Sequence, residues 1–91
     1  MSAIPNPVAF VTPSWSTLNE VLFWLEWVKI YIDEHLRAVN FREPDIALLE
    51  ISGFVDATLS VCQHLPLEVL LAQGQIIFTE LMSVSHALGL L

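Results

Sequence analysis

Leu67-Glu68-Val69-Leu70-Leu71-Ala72-Gln73-Gly74-Gln75-Ile76-Ile77-Phe78-Thr79-Glu80-Leu81-Met82-Ser83-Val84-Ser85-His86-Ala87-Leu88-Gly89-Leu90-Leu91 closes the chain. Within it Leu67, Leu70, Gly74, Ile77, Leu81, Val84, Leu88 and Leu91 recur at steps of three and four. Such spacing puts them on one stripe of an α-helix, the seam that a helix lays against other helices. Glu68 and Glu80 are the only acids in the stretch, and it holds no Lys or Arg. A helix so poor in charge needs cover, from its own chain or from another.

Two more helices precede it. His64-Leu65-Pro66 reads as a connection, with Pro66 at the first helical position and Glu68 in the first turn, where an acid is favoured. Upstream lie Ile46, Leu48, Leu49, Ile51, Phe54, Val55, Leu59, Val61 and Cys62, entered through Phe41-Arg42-Glu43-Pro44-Asp45 with Pro44 at the first helical position. Gly53 and Ala57 form a small pair four residues apart. A glycine inside a helix costs roughly 1 kcal/mol against alanine, so close approach of another backbone is the reason to keep it.

The first helix opens with Thr17-Leu18-Asn19-Glu20, a capping box. Its seam is Leu18, Val21, Leu25, Val28, Ile32, His35 or Leu36, and Val39. Glu26, Lys29, Asp33 and Arg37 mark a narrow solvated stripe of alternating sign. Between seam and stripe lies a second apolar strip, Phe23, Trp24, Trp27, Ile30 and Tyr31. Arg37 and Asn40 suit its C-terminal end.

Residues 1–13 contain Pro5, Pro7 and Pro13, which impose extended backbone around them. Val8-Ala9-Phe10-Val11 between them is apolar and is expected to pack back on its own chain. The expected architecture is all-α: a three-helix up-down-up bundle with an extended N-terminal arm, paired with a second copy. The arm covers residues 1–13 and the bundle 14–91, with helices at about 17–40, 44–64 and 66–90.

Composition supplies the argument for pairing. The 91 residues are 55% hydrophobic, with mean hydropathy +0.65. A chain this short buries only about 60–65% of its unfolded surface. Three small helices therefore cannot hide every apolar side chain, and the surplus calls for a partner. Ten acids against three bases give a net charge of −7, which disfavours nucleic acid and anionic lipid as partners. Cys62 is the single cysteine, so there is no internal disulfide or thiolate cluster. The opening Met-Ser-Ala-Ile-Pro-Asn-Pro lacks the basic and apolar regions of a signal peptide. The stretches 57–67 and 69–79, free of Asp, Glu, Lys and Arg, are too short to span a bilayer. A cytoplasmic or otherwise intracellular protein is expected.

No nucleophile elbow, phosphate-binding glycine loop, HExxH or CxxC is present. His35, His64 and His86 are scattered, without the i, i+3 or i, i+4 pair that metal sites on helices use. Asp33-Glu34-His35 are consecutive, so their side chains diverge on a helix. No catalytic, cofactor or metal residue is expected. Trp and Tyr are the residue types that anchor interfaces. The expected interface comprises Phe23, Trp24, Trp27, Ile30, Tyr31, Gly53, Ala57, Ile77, Leu81 and Leu88. The function expected is that of a non-enzymatic, acidic, self-associating interaction module, an adaptor, assembly or regulatory factor. The alternative is an obligate small subunit or inhibitor in a hetero-complex, such as a viral, phage or secretion accessory protein. Association with a membrane surface ranks below both.

Overall fold

The computed structural model describes residues 5–8, 14–38 and 43–89. Among these residues the chain is all-α, with helix α1 at Leu18–Ala38, α2 at Glu43–Val61 and α3 at Leu67–Ala87. A short 3₁₀ turn, Cys62–His64, continues α2. Each α-helix packs on the other two. A 21-residue helix is about 32 Å long, which fits within the 38 Å long axis of a body 24 Å across. Residues 9–13, Val39, Asn40, the connecting residues 41–42 and Leu91 lie outside the described residues.

The three seams meet in one core. From α1 come Val21, Leu25, Val28 and Ile32, each fully buried, and Trp24 and Tyr31 beside them. Leu48, Ile51 and Val55 enter from α2; Leu70, Ile77, Phe78 and Leu81 enter from α3. Truncating one such residue, Leu81 for example, is worth about 2–5 kcal/mol by the usual cost of a core cavity. Val8 also joins the core, and the Trp27 indole Nε1 donates to the Pro5 carbonyl at 3.1 Å. That contact ties the segment at residues 5–8 to the middle of α1.

Helix ends follow local chemistry. Thr17 Oγ1 accepts from the Glu20 backbone N–H at 3.3 Å and donates to Glu20 Oε1 at 2.9 Å. The same carboxylate oxygen accepts from Ser16 Oγ and, at 3.4 Å, from the Ser16 N–H. The Thr17 half of the expected capping box is made, while the Glu20 carboxylate reaches back to the Thr17 hydroxyl and to Ser16. The Thr17 hydroxyl first, and Ser16 after it, hold the Glu20 carboxyl below its ordinary value of 4.5.

Two proline positions differ from expectation. Pro66 is the N-cap of α3, with extended backbone, and its carbonyl accepts from the N–H groups of Val69 and Leu70 at 3.1 Å each. Pro44 is the second residue of α2 rather than its first. Both are places where a missing N–H removes no intrahelical bond. At the other end of α3, Gly89 takes φ +75. Its N–H reaches the His86 carbonyl at 3.1 Å, and the left-handed turn that follows stops the helix.

The two helical glycines sit in opposite surroundings. Gly74 is buried under Trp15, whose ring carbon Cζ3 would lie 2.7 Å from an added Cβ. Trp15 in turn lies 5.0 Å from Trp24, centroid to centroid, and Trp24 lies 6.2 Å from Phe78. Glycine at 74 is what admits the indole. At Gly53 an added Cβ would meet nothing within 4 Å. The close approach expected there is not made by any described part of this chain.

These contrasts give two predictions. Gly53→Ala should raise unfolding stability in urea by about 0.5–1 kcal/mol, the helix-propensity gain. Gly74→Ala should lower it by about 1 kcal/mol, because displacement of the Trp15 ring outweighs the same gain, and should alter tryptophan emission. For Glu20, the lowered carboxyl makes a contribution present above pH 4.5 and lost as pH falls through its folded value. The stability difference between the wild type and Glu20→Gln should therefore shrink on acidification below pH 4.5, as followed by circular dichroism in urea at a series of pH values.

Candidate protein-binding surfaces

Packing divides the expected interface residues. Trp24, Tyr31, Ile77 and Leu81 belong to the chain's own core. Trp27 and Leu88 are half-buried against it. Phe23, Ile30, Gly53 and Ala57 are exposed. The outward part of the aromatic strip thus narrows to Phe23, Trp27 and Ile30. Phe23 is 72% exposed and Ile30 51% exposed. For large apolar side chains on a small protein these values leave most of each in water.

Around them is an apolar groove of about 450 Å³ walled by Pro5, Phe23, Trp27 and Ile30, with Glu26 its single charged residue. The Trp27–Pro5 hydrogen bond fixes one wall, since it orients the indole against the N-terminal segment. A neighbouring depression of about 390 Å³ runs past Phe23 to Trp15, Asn19 and Glu20. Phe23 and Trp27 border both, so the two form one continuous surface along the outer side of α1.

A second surface lies on α2 and α3. Ile46, Leu49, Gly53, Ala57 and Val61 share the outward face of α2. Between α2 and α3 is a groove of about 230 Å³ lined by Ala47, Ile51, Phe54, Ile76, Ile77 and Val84, with Glu50 and Glu80. Ile51 and Ile77 form its buried floor, while Phe54 at 42% and Ile76 at 53% exposure stand at the rim. Sequence periodicity hides this groove, because its two walls come from different helices.

Polar side chains meet mainly in pairs. Lys29 on α1 forms an ion pair with Asp56 on α2. Arg37 pairs with Glu34 one turn away at 3.3 Å. His35 Nε2 donates to Asp45 Oδ1 at 3.1 Å, and Asp45 is fully buried. This α1–α2 contact is absent from any reading of the sequence by periodicity, since its partners are ten residues apart across a connection. Burial pushes the Tyr31 phenol above its ordinary 10.0. Among the described residues no three His, Cys, Asp or Glu side chains are grouped to hold a metal. Cys62 is a free, half-buried thiol.

α3 is long and apolar enough to cross a membrane by length and composition, with a window of mean hydropathy 1.3. Counting uncharged runs stopped at Glu68 and Glu80, whereas averaging over a whole helix passes them. A mostly buried core helix of a soluble protein meets the same criterion, and 28% of this stretch is buried. No protein-family model, curated protein or solved structure matches the chain.

The His35–Asp45 contact and the Lys29–Asp56 contact should weigh very differently. Asp45→Ala should cost about 2–3 kcal/mol in urea unfolding, because the change strips a fully buried carboxylate from its partners. Lys29→Ala, at a partly exposed pair, should cost under about 1 kcal/mol.

Proposed function

We propose that the chain is a non-enzymatic, acidic helical interaction module that self-associates through apolar helix faces, in an adaptor, assembly or regulatory role. The observation that carries this reading is the Phe23–Trp27–Ile30 surface, on which the described residues leave Phe23 and Ile30 exposed beside a half-buried Trp27. A two-fold pair sets one patch against itself. This patch suits that arrangement, since it offers aromatic and aliphatic groups, with Glu26 the single charged residue of its groove and Glu20 of the adjoining depression held by Ser16 and Thr17. Trp24 and Tyr31 belong to the core cluster against which Trp27 packs.

The finer architecture belongs to the same proposal. An up-down-up path is supported by Lys29 pairing with Asp56 while His35 pairs with Asp45, so that later residues of α1 meet earlier ones of α2. The groove supports the same sense for α2 and α3, with Phe54 and Ile76 lining it along with Ala47 and Val84. The tie of residues 5–8 to Trp27 and the core supports an N-terminal arm that stays on its own chain.

An aqueous, intracellular setting is favoured over a bilayer. The outward residues of α3 include Gln75, Thr79, Glu80, Ser83 and His86, groups that hydrocarbon accepts only when paired. The net charge of −7 acts against an anionic membrane surface.

Sedimentation equilibrium at micromolar concentration tests self-association. The wild type should sediment as a dimer, and Phe23→Glu as a monomer with unchanged helicity by circular dichroism. Phe23 is exposed enough that its replacement leaves the core intact. A wild-type monomer throughout that range would refute the reading.

A further inference from the structure

The α2–α3 groove differs from the α1 surface in that neither of its two acids is engaged by a neighbouring side chain, and we infer that it docks a basic amphipathic helix from a partner of different sequence. This rests on the reading of the chain as an interaction module, though not on its self-association. Glu50 stands on the α2 wall and Glu80 on the α3 wall, both exposed. Each falls near the middle of its wall, between Ala47 and Phe54 on one side and between Ile76 and Val84 on the other. Among the described residues neither makes a hydrogen bond or ion pair. An apolar floor between two acidic walls complements a helix whose apolar ridge is flanked by Lys or Arg on both sides. The ridge side chains would enter the groove and lie on Ile51 and Ile77, while the flanking cations would meet Glu50 and Glu80.

A second copy of this chain offers few cations for that role. Lys29 is engaged by Asp56 and Arg37 by Glu34, and Arg42 is the one other base in the sequence. Two copies joined through this groove would instead bring Glu50 and Glu80 toward their own counterparts, a like-charge contact that disfavours the pairing. Anionic lipid is disfavoured for the same reason.

The probe is a fluorescein-labelled helical peptide of about 18 residues with a leucine stripe bordered by lysines on both sides. Fluorescence anisotropy should show saturable binding to the full chain that weakens as salt rises. The isosteric, surface-only variant Glu50→Gln/Glu80→Gln should weaken it by about tenfold, the combined effect of two exposed ion pairs. Glu34→Gln/Glu68→Gln has the same net charge with the acids of both surfaces intact and should bind within about twofold of the wild type. Circular dichroism on both variants confirms folding. The proposal is overturned if the two double variants bind equally, which would mean diffuse attraction to an acidic protein. It is also overturned if a peptide with glutamates in place of lysines binds as well. A stronger dimer of Glu50→Gln/Glu80→Gln in sedimentation would overturn it too, by making a second copy the occupant. Repeating the titration on Phe23→Glu separates the two readings: docking that persists in a monomer stands apart from self-association, whichever way the sedimentation of the wild type falls.

Discussion

A helix in a three-membered bundle has one side turned inward, and that geometric limit governs the rest of this molecule. Val21, Leu25, Val28 and Ile32, with Leu48, Val55, Leu70, Ile77 and Leu81, reach essentially complete burial. Their side chains supply the main driving force, at roughly 1.5–3 kcal/mol for each large aliphatic group. A chain that is 55% hydrophobic has more such groups than the inward sides can hold. The remainder stands on the outside as Phe23, Ile30, Leu49, Phe54 and Ile76. Uncovered apolar area of this kind is ordinary when scattered singly, but acquires meaning where it is contiguous, as along the outer side of α1.

The helices and the stripe each one buries were legible because the α-helical period fixes which residues share a face. The width of each stripe was not. In α1, Trp24 and Tyr31 flank the seam of Val21, Leu25, Val28 and Ile32 and are buried with it. The reason is that α1 packs on both α2 and α3, so its inward face is wider than a two-helix contact would need. Periodicity alone carries no count of neighbours. It therefore grouped Trp24 with Phe23, although adjacent residues lie about 100° apart on the helix and here fall on opposite sides of the boundary.

Contacts between helices were out of reach for the same reason. Gly74 could be placed on the α3 seam, but the Trp15 ring that occupies its missing side chain comes from before α1. His35 and Asp45 could each be assigned to a helix end, yet their meeting depends on how α1 and α2 lie together. The α2–α3 groove is legible only after both helices are in place, since Glu50 and Glu80 belong to separate periodic patterns. Local chemistry was more transparent. Thr17 and Glu20 are three residues apart, and their reciprocal bonds need no tertiary contact.

Charge gives the two apolar surfaces different prospects. Burial of apolar area favours association without choosing among partners, while the placement of charge around it discriminates. Several acids are already occupied: Glu20 by the hydroxyls of Ser16 and Thr17, Glu34 by Arg37, Asp45 by His35 and Asp56 by Lys29. Glu50 and Glu80 are not so engaged, and they line one apolar groove from its two helices. The α1 surface has Glu26 at its edge and an indole anchored to the Pro5 carbonyl. On the proposed reading, the α1 surface, where Glu20 is held by local hydroxyls and Glu26 alone is unengaged, accepts a copy of itself more readily than the groove, where both acids are unengaged. A single short chain would then separate two kinds of contact by the position of two carboxylates, with no change in the helices that present them.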